Sequence, residues 1–401
     1  MMPTSRRLFL AGLAAATLAL SACAGGASAG QDGGDTITIG ALDNLTGTYG
    51  SFGAAYTGGL KVAADEINAK GGVHVGGKSY KLNVVVVDAR SDVSAATTGA
   101  TSLVKDEHAK FVFGPAVTPI TLPAQQVVSR ARGIYFTGSV TVGETLRTQG
   151  AQGQYGQTYA MGVTSKGAAS STAEGSRELN PNIRTAAILL PSEASYDSYV
   201  EEITKEWNAR GITIVDTLRF DPATTNFSAL LTRIKAADPD VIWTGISPQQ
   251  VGAIVQQTAG LGFPTSTIVV GSGGAATNAT LPNRSPAPFD FSWYAAGFDP
   301  AVKGDAVQKY MDSYKRVTGT DYPNIPGSVL PYYGLRVLVA AIEKAGTVDD
   351  LAAINTAMTS VSADGPLGAY SFDTNHVART PVAVCQSRAG DQRCSVVSSS
   401  D

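Results

Sequence analysis

Leu82-Asn83-Val84-Val85-Val86-Val87 is the stretch that decides the fold class. Alternate side chains of a strand point to opposite faces, so four consecutive valines leave no wet face. The run predicts a strand buried on both sides, as in a parallel sheet covered by helices. Upstream, Leu60, Ala63, Ala64 and Ile67 recur at helical spacing, and Gly71-Gly72 ends that helix. Thr36-Ile37-Thr38-Ile39-Gly40 before it reads as a strand. Downstream the alternation continues with a helix over 95–106, a strand over 110–113, a helix through Val127-Val128 and a strand at Ile134-Tyr135-Phe136.

After the Gly/Gln-rich stretch 150–157 the rhythm restarts. Strands are expected at 185–190, 212–215, 241–243 and 268–270, with helices at 199–209, 227–236 and 251–258. Residues 275–290 read as loop. Helices at 330–344 and 351–358 and a strand at 370–372 complete the pattern. Two blocks of β/α units, each able to bury its own sheet, imply two similar lobes, although no sequence repeat underlies them.

Apolar residues make up 43% of the 401-residue chain and charged residues 16%, a globular composition that is neither disordered nor polytopic. A formal net charge of -3 gives no electrostatic reason for nucleic acid or an anionic membrane as partner. Arg6 and Arg7 precede an apolar run over 8–20 that is too short to span a bilayer comfortably. Ser5-Arg6-Arg7-Leu8-Phe9-Leu10 resembles the twin-arginine export motif, with Ala11 where that motif usually has lysine. Leu20-Ser21-Ala22-Cys23 resembles the lipobox of bacterial lipoproteins, which implies a signal peptide over 1–23, lipidated Cys23 as the mature N-terminus, and a tether over 24–35. The protein is then exported and held by lipid alone, at the outer face of the cytoplasmic membrane or in the periplasm. Of three cysteines, Cys385 and Cys394 remain for a disulfide closing a short C-terminal loop.

Within this α/β order stand Ile39-Gly40, Thr46-Gly47 and Phe52-Gly53, then Ala64-Asp65-Glu66-Ile67-Asn68-Ala69-Lys70-Gly71-Gly72 and Asp88. Phe113-Gly114-Pro115, the 227–240 segment, Ala340-Ala341-Ile342-Glu343-Lys344-Ala345-Gly346 and Gly365-Pro366-Leu367-Gly368 follow. In this order the chain resembles type I periplasmic solute-binding proteins of the branched-chain amino-acid and amide transporter group. The resemblance implies two Rossmann-like lobes with parallel central sheets, joined by three crossovers. Lobe one is expected at 36–157 plus 298–365, and lobe two at 158–297 plus 366–401. Ligand is expected between them, at the carboxyl ends of parallel strands.

The same resemblance implies ligand contact by Ser139 and Thr141 after the strand at 134–136, and by Thr118 and Thr121 after Pro115. Hydroxyls there supply hydrogen bonds without charge. Phe52 and Tyr196 stand where aromatic walls are expected, with Tyr49 and, more weakly, Ile246, Ser247, Trp293 and Tyr332 beside them. One departure matters: after 268–270 the chain reads Gly271-Ser272-Gly273-Gly274, where related proteins commonly carry an acid for a ligand ammonium. Either Asp43 or Glu193 takes that role, or the ligand is an amide or an apolar or aromatic carboxylate.

Gly72-Val73-His74-Val75-Gly76-Gly77-Lys78-Ser79 formally matches a phosphate loop, but a helix precedes it and a strand follows, the reverse of what that mechanism requires. No H-E-x-x-H occurs, the G-x-S-x-G string Gly26-Ala27-Ser28-Ala29-Gly30 lies in the tether without the strand and helix that a nucleophile elbow needs, and His74, His108 and His376 read as solvated. The expectation is a monomeric, non-enzymatic lipoprotein without cofactor or metal that delivers a small solute to the permease subunits of an ABC importer. A sensor feeding a membrane receptor and an exported enzyme are the alternatives.

Overall fold

The computed structural model describes residues 35–47, 49–115, 117–193, 196–244, 248–263, 268–272, 291–322, 327–388 and 391–399. The signal, Cys23, the tether up to residue 34, Ile246, Ser247, Gly273, Gly274 and the 275–290 loop lie outside the described residues.

The first sheet has the order β2-β3-β1-β4-β5-β6. Its strands are β1 (Thr36–Asp43), β2 (Val73–Val75), β3 (Lys78–Asp88), β4 (Phe111–Gly114), β5 (Ile134–Thr137) and β6 (Thr158–Ala160). All pair in parallel except the β2–β3 hairpin. Ile37, Ile39, Ala41, Phe111, Phe113, Ile134 and Phe136 face one core, while Leu42, Val112 and Tyr135 face the other. Alternation between two cores is why β1, β4 and β5 carry apolar residues on both faces.

The valine run of β3 divides the same way, Val84 and Val86 packing on one core and Val85 and Val87 on the other. Each is only half-buried. Pairing with β2 stops at Tyr80, so the rest of β3 has one strand neighbour, β1. The glycine-rich stretch 72–79 thus holds a hairpin, turned by Gly76 and Gly77 at φ of 58° and 79°.

Helices α1 (Gly50–Ala69), α2 (Val93–Lys105), α3 (Thr118–Arg130) and α4 (Val140–Gln149) link these strands. Leu60, Ala63, Ala64 and Ile67 are all buried on α1. A Cβ on Gly72 would stand 2.1 Å from the Tyr80 carbonyl, so only glycine ends that helix here.

The second sheet runs β16-β15-β11-β10-β9-β7-β8. It comprises β7 (Thr185–Pro191), β8 (Thr213–Phe220), β9 (Val241–Trp243), β10 (Ile268–Ser272), β11 (Phe291–Ala296), β15 (Pro381–Arg388) and β16 (Asp391–Ser398). The first five are parallel, and the last two add an antiparallel hairpin. Its helices are α5 (Ser165–Leu179), α6 (Asp197–Ala209), α7 (Ser228–Ala236) and α8 (Pro248–Gly260). Three further helices, α9 (Asp305–Thr318), α10 (Leu330–Ala345) and α11 (Leu351–Met358), contribute to the core of the first sheet. The small sheet β12 (Ser362–Gly365), β13 (Gly368–Phe372) and β14 (Ala378–Arg379) does so as well. The chain therefore passes between the two sheets after Ala160, after Ala296 and after Arg379.

Two expectations change. Cys385 and Cys394 are disulfide-bonded, but as directly opposed residues of the β15–β16 hairpin rather than across a loop. His376 is not solvated: it is 7% exposed, its ring stacks on Tyr159 at 4.1 Å, and its Nδ1 lies 3.2 Å from the Thr158 carbonyl oxygen. Burial against an aromatic is energetically open to a neutral imidazole, and desolvation holds its pKa below the usual histidine value.

Candidate ligand-binding site

The carboxyl ends of β1, β4 and β5 lie side by side, and each leads into a helix. The loop from β1 to α1 is pinned by the loop after β3. Asp88 accepts hydrogen bonds from the Leu45 N–H at 2.9 Å, the Thr46 hydroxyl at 2.7 Å and the Arg90 N–H at 2.7 Å. Burial acts against its charge, yet these bonds hold its pKa below the usual aspartate value. Ser91 Oγ accepts from the Tyr49 N–H at 3.1 Å and donates to the Thr46 carbonyl at 2.8 Å. That scaffold sets Tyr49, half-buried, at the start of α1, and Phe52, 40% exposed, in its first turn.

The hydroxyl shelf is built around one carbonyl. Thr121 and Thr137 both donate to the Pro115 oxygen, Thr137 at 3.1 Å. Thr137 Oγ1 also accepts from the Ser139 N–H at 3.1 Å. Ser139 caps α4, its Oγ accepting from the Val142 N–H at 3.4 Å. Thr121 and Ser139 are buried and Thr141 is exposed in the first turn of α4. Thr121, Thr137 and Ser139 therefore brace the loops, whereas Thr141 presents its side chain outward. Thr137 was not singled out from sequence; its position as the last residue of a strand was the available signal. The side chain of Thr118 lies outside the described residues, though its backbone opens α3.

On the second sheet, Tyr196 is half-buried at the start of α6, after β7, with its ring 6.1 Å from that of Tyr199. Burial raises its hydroxyl pKa and Glu193 adds to the effect. Glu193 is exposed. Trp293 lies in β11 opposite Gly271 and Cys385, with its side chain outside the described residues. Tyr332 is 6% exposed in an aromatic cluster, and its hydroxyl donates to Glu66 at 2.8 Å. It belongs to the core rather than to these strand ends.

Asp43, the last residue of β1, is 5% exposed, and Thr57 Oγ1 on α1 donates to it at 2.9 Å. Burial pushes its pKa well above the usual aspartate value, and the Thr57 bond acts in the opposite sense. A surface groove of about 340 Å³, lined by Lys70, His74, Arg336 and Glu343 among others, sits at the other end of α1. That end is roughly 27 Å from Phe52 along the helix.

The chain is 27% identical over 338 residues to the Leu/Ile/Val-binding protein BraC3 of Rhizobium johnstonii, spanning 80% of this chain and 83% of that protein. The branched-chain amino acid transporter substrate binding protein LivJ of Streptococcus pneumoniae, in complex with isoleucine, superposes with a TM-score of 0.68 at 19% identity, over 91% of this chain and 100% of that one. A solute binding protein of R. palustris in complex with 4-hydroxybenzoate gives 0.69 at 19% identity, over 91% and 96%. Likenesses this distant show the fold, which is the type I periplasmic binding protein fold. The family itself follows from sequence: the periplasmic binding protein pattern matches residues 36–392, and the chain belongs to that family.

Proposed function

We propose that the protein is an exported solute-binding lipoprotein that captures a small ligand between two lobes and delivers it unaltered to an ABC importer. The observation that carries this reading is the shelf at the carboxyl ends of β4 and β5. There Thr121, Thr137 and Ser139 lock the loops and Thr141 stands exposed at a helix start. The first N–H groups of a helix have no partner within the helix, so such a start favours an anionic or polar head group. The Leu/Ile/Val-binding relative and the neighbours solved with isoleucine or 4-hydroxybenzoate support a ligand in the class of amino acids or carboxylates.

In this reading the first-sheet and second-sheet segments form the lobes, and β6 at 158–160 counts with the first. Phe52 and Tyr49 wall the ligand from one lobe and Tyr196 from the other. A ligand touching both stabilises the closed form by population shift. Permease subunits then recognise a closed monomer, and no bond of the solute is broken. Calorimetry with L-isoleucine and 4-hydroxybenzoate tests the site. Thr141→Val is expected to weaken binding of the better probe about tenfold, the loss of one hydrogen bond. Unchanged affinity in that variant, or a scattering profile that does not narrow on binding, removes the site or the closure.

A further inference from the structure

Beneath the shelf lies a second, buried polar group that the proposed site does not use. Asp43 ends β1 on the α1 side of the sheet, while Tyr135 of β5 belongs to the opposite core. Gly114 between them has no side chain; a Cβ there would stand 2.9 Å from the Tyr135 hydroxyl. The tyrosine thus reaches the strand ends, where its buried hydroxyl meets the side chain of Thr121. It interacts electrostatically with Asp43.

The groups around Asp43 come from every neighbouring element. From α1 come Thr57, which donates to it, and Tyr56, buried and electrostatically coupled to it. From β5 comes Tyr135. From β3 comes Asp88, its register neighbour, whose carboxylate is turned to Leu45, Thr46 and Arg90. Among the described residues no lysine, arginine or histidine pairs with Asp43. A carboxylate with one hydroxyl donor and no cation does not recover its hydration in such a place, so burial favours the protonated form.

We propose that Asp43, held as an uncharged acid under the strand ends, is the specificity-determining residue of this site, admitting a carboxylate head and offering an ammonium no partner. This deepens the proposed function and rests on it. Around the shelf the chemistry then consists of hydroxyl and N–H donors over a neutral acid, which suits an anion lacking an α-ammonium. Ionising Asp43 would place a negative charge under that anion and expel it. The burial that keeps the acid neutral accounts for the direction of its pKa shift as well.

The test compares wild type, Asp43→Asn and Thr57→Val in two measurements across pH. In calorimetry, wild-type affinity for 4-hydroxybenzoate is expected to fall about tenfold or more as pH is raised through the ionisation of Asp43, while that of Asp43→Asn stays flat with pH. Thr57→Val removes the bond that favours the ionised form, so its profile shifts to higher pH and serves if the asparagine variant does not fold. Without ligand, the wild-type melting temperature falls over the same range and that of Asp43→Asn does not. Tighter binding of L-isoleucine than of 4-hydroxybenzoate, with affinity rising with pH, overturns the proposal by making Asp43 an ammonium partner. Melting profiles that coincide for wild type and Asp43→Asn overturn the uncharged acid alone. Failure of both probes to bind overturns the ligand class and this role with it.

Discussion

Histidine 376 shows how a single residue is judged differently by its neighbours in sequence and in space. Between Asn375 and Val377 it looks like a turn residue, and its φ of 65° agrees with a turn. The ring nevertheless lies flat on Tyr159, a residue over two hundred positions away in the chain. Desolvation depresses its folded pKa, so it contributes stability that is present above the unfolded value and lost as pH falls through the folded one. Wild-type protein is therefore expected to lose thermal stability on acidification below about pH 6.5, the ordinary histidine value. A His376→Gln variant should lose less over that interval in parallel melts; equal acid sensitivity would refute the assignment. Among the residues of the proposed site, Phe52, Ser139 and Thr141 were named from the resemblance to type I periplasmic solute-binding proteins. The bracing role of Thr137 and the isolation of Asp43 were not, since each depends on which carbonyl or hydroxyl arrives from another element.

At the scale of elements, α4 and α6 are joined by charge. Arg147 on α4 pairs with Glu144 at 2.8 Å and with Glu202 on α6 at 3.0 Å, and all three side chains are largely buried. Glu144 also accepts from the Ser165 N–H and hydroxyl at the start of α5, both at 2.5 Å. A helix beside the first sheet is thereby tied to two helices beside the second. Removing the arginine leaves two half-buried carboxylates unpaired, so Arg147→Met is expected to cost about 2–4 kcal/mol in urea unfolding. Replacing Glu144 and Glu202 by glutamine in the same chain should restore part of that loss; a triple variant no better than the single one would show that packing, not charge, holds these helices. Helix α5 itself was invisible in the sequence. Its buried face is Ala168, Ala169, Ala173, Gly175 and several serines and threonines, with no large apolar residue to mark a period. Close approach explains the choice: a Cβ on Gly175 would stand 2.5 Å from Val384 of β15. The strands at 291–296, 381–388 and 391–398 were missed as well; in the hairpin of the last two, polar residues such as Gln386, Ser387, Gln392 and Arg393 dilute the pattern.

For the whole molecule, the proposed lipid anchor at Cys23 is tested in cells. Cys23→Ser is expected to move the protein from the membrane fraction to the soluble fraction of cells, while purified protein keeps its affinity for ligand. A variant that still sediments with membranes would remove the anchor. The sequence by itself determined the α/β class, the order of the main strands and helices and the strand ends where a ligand is to be sought. Those features follow from hydrophobic period and from glycines and prolines, all of which act over a few residues. Only the tertiary structure decided that the chain passes between sheets three times, that β3 is half-exposed beyond its hairpin, and that the C-terminal cysteines close a hairpin. It also decided that Asp43 is buried, with no cationic side chain paired to it among the described residues. Burial, pairing and charge state are set by residues distant in the chain, and local pattern carries no record of which of them will meet.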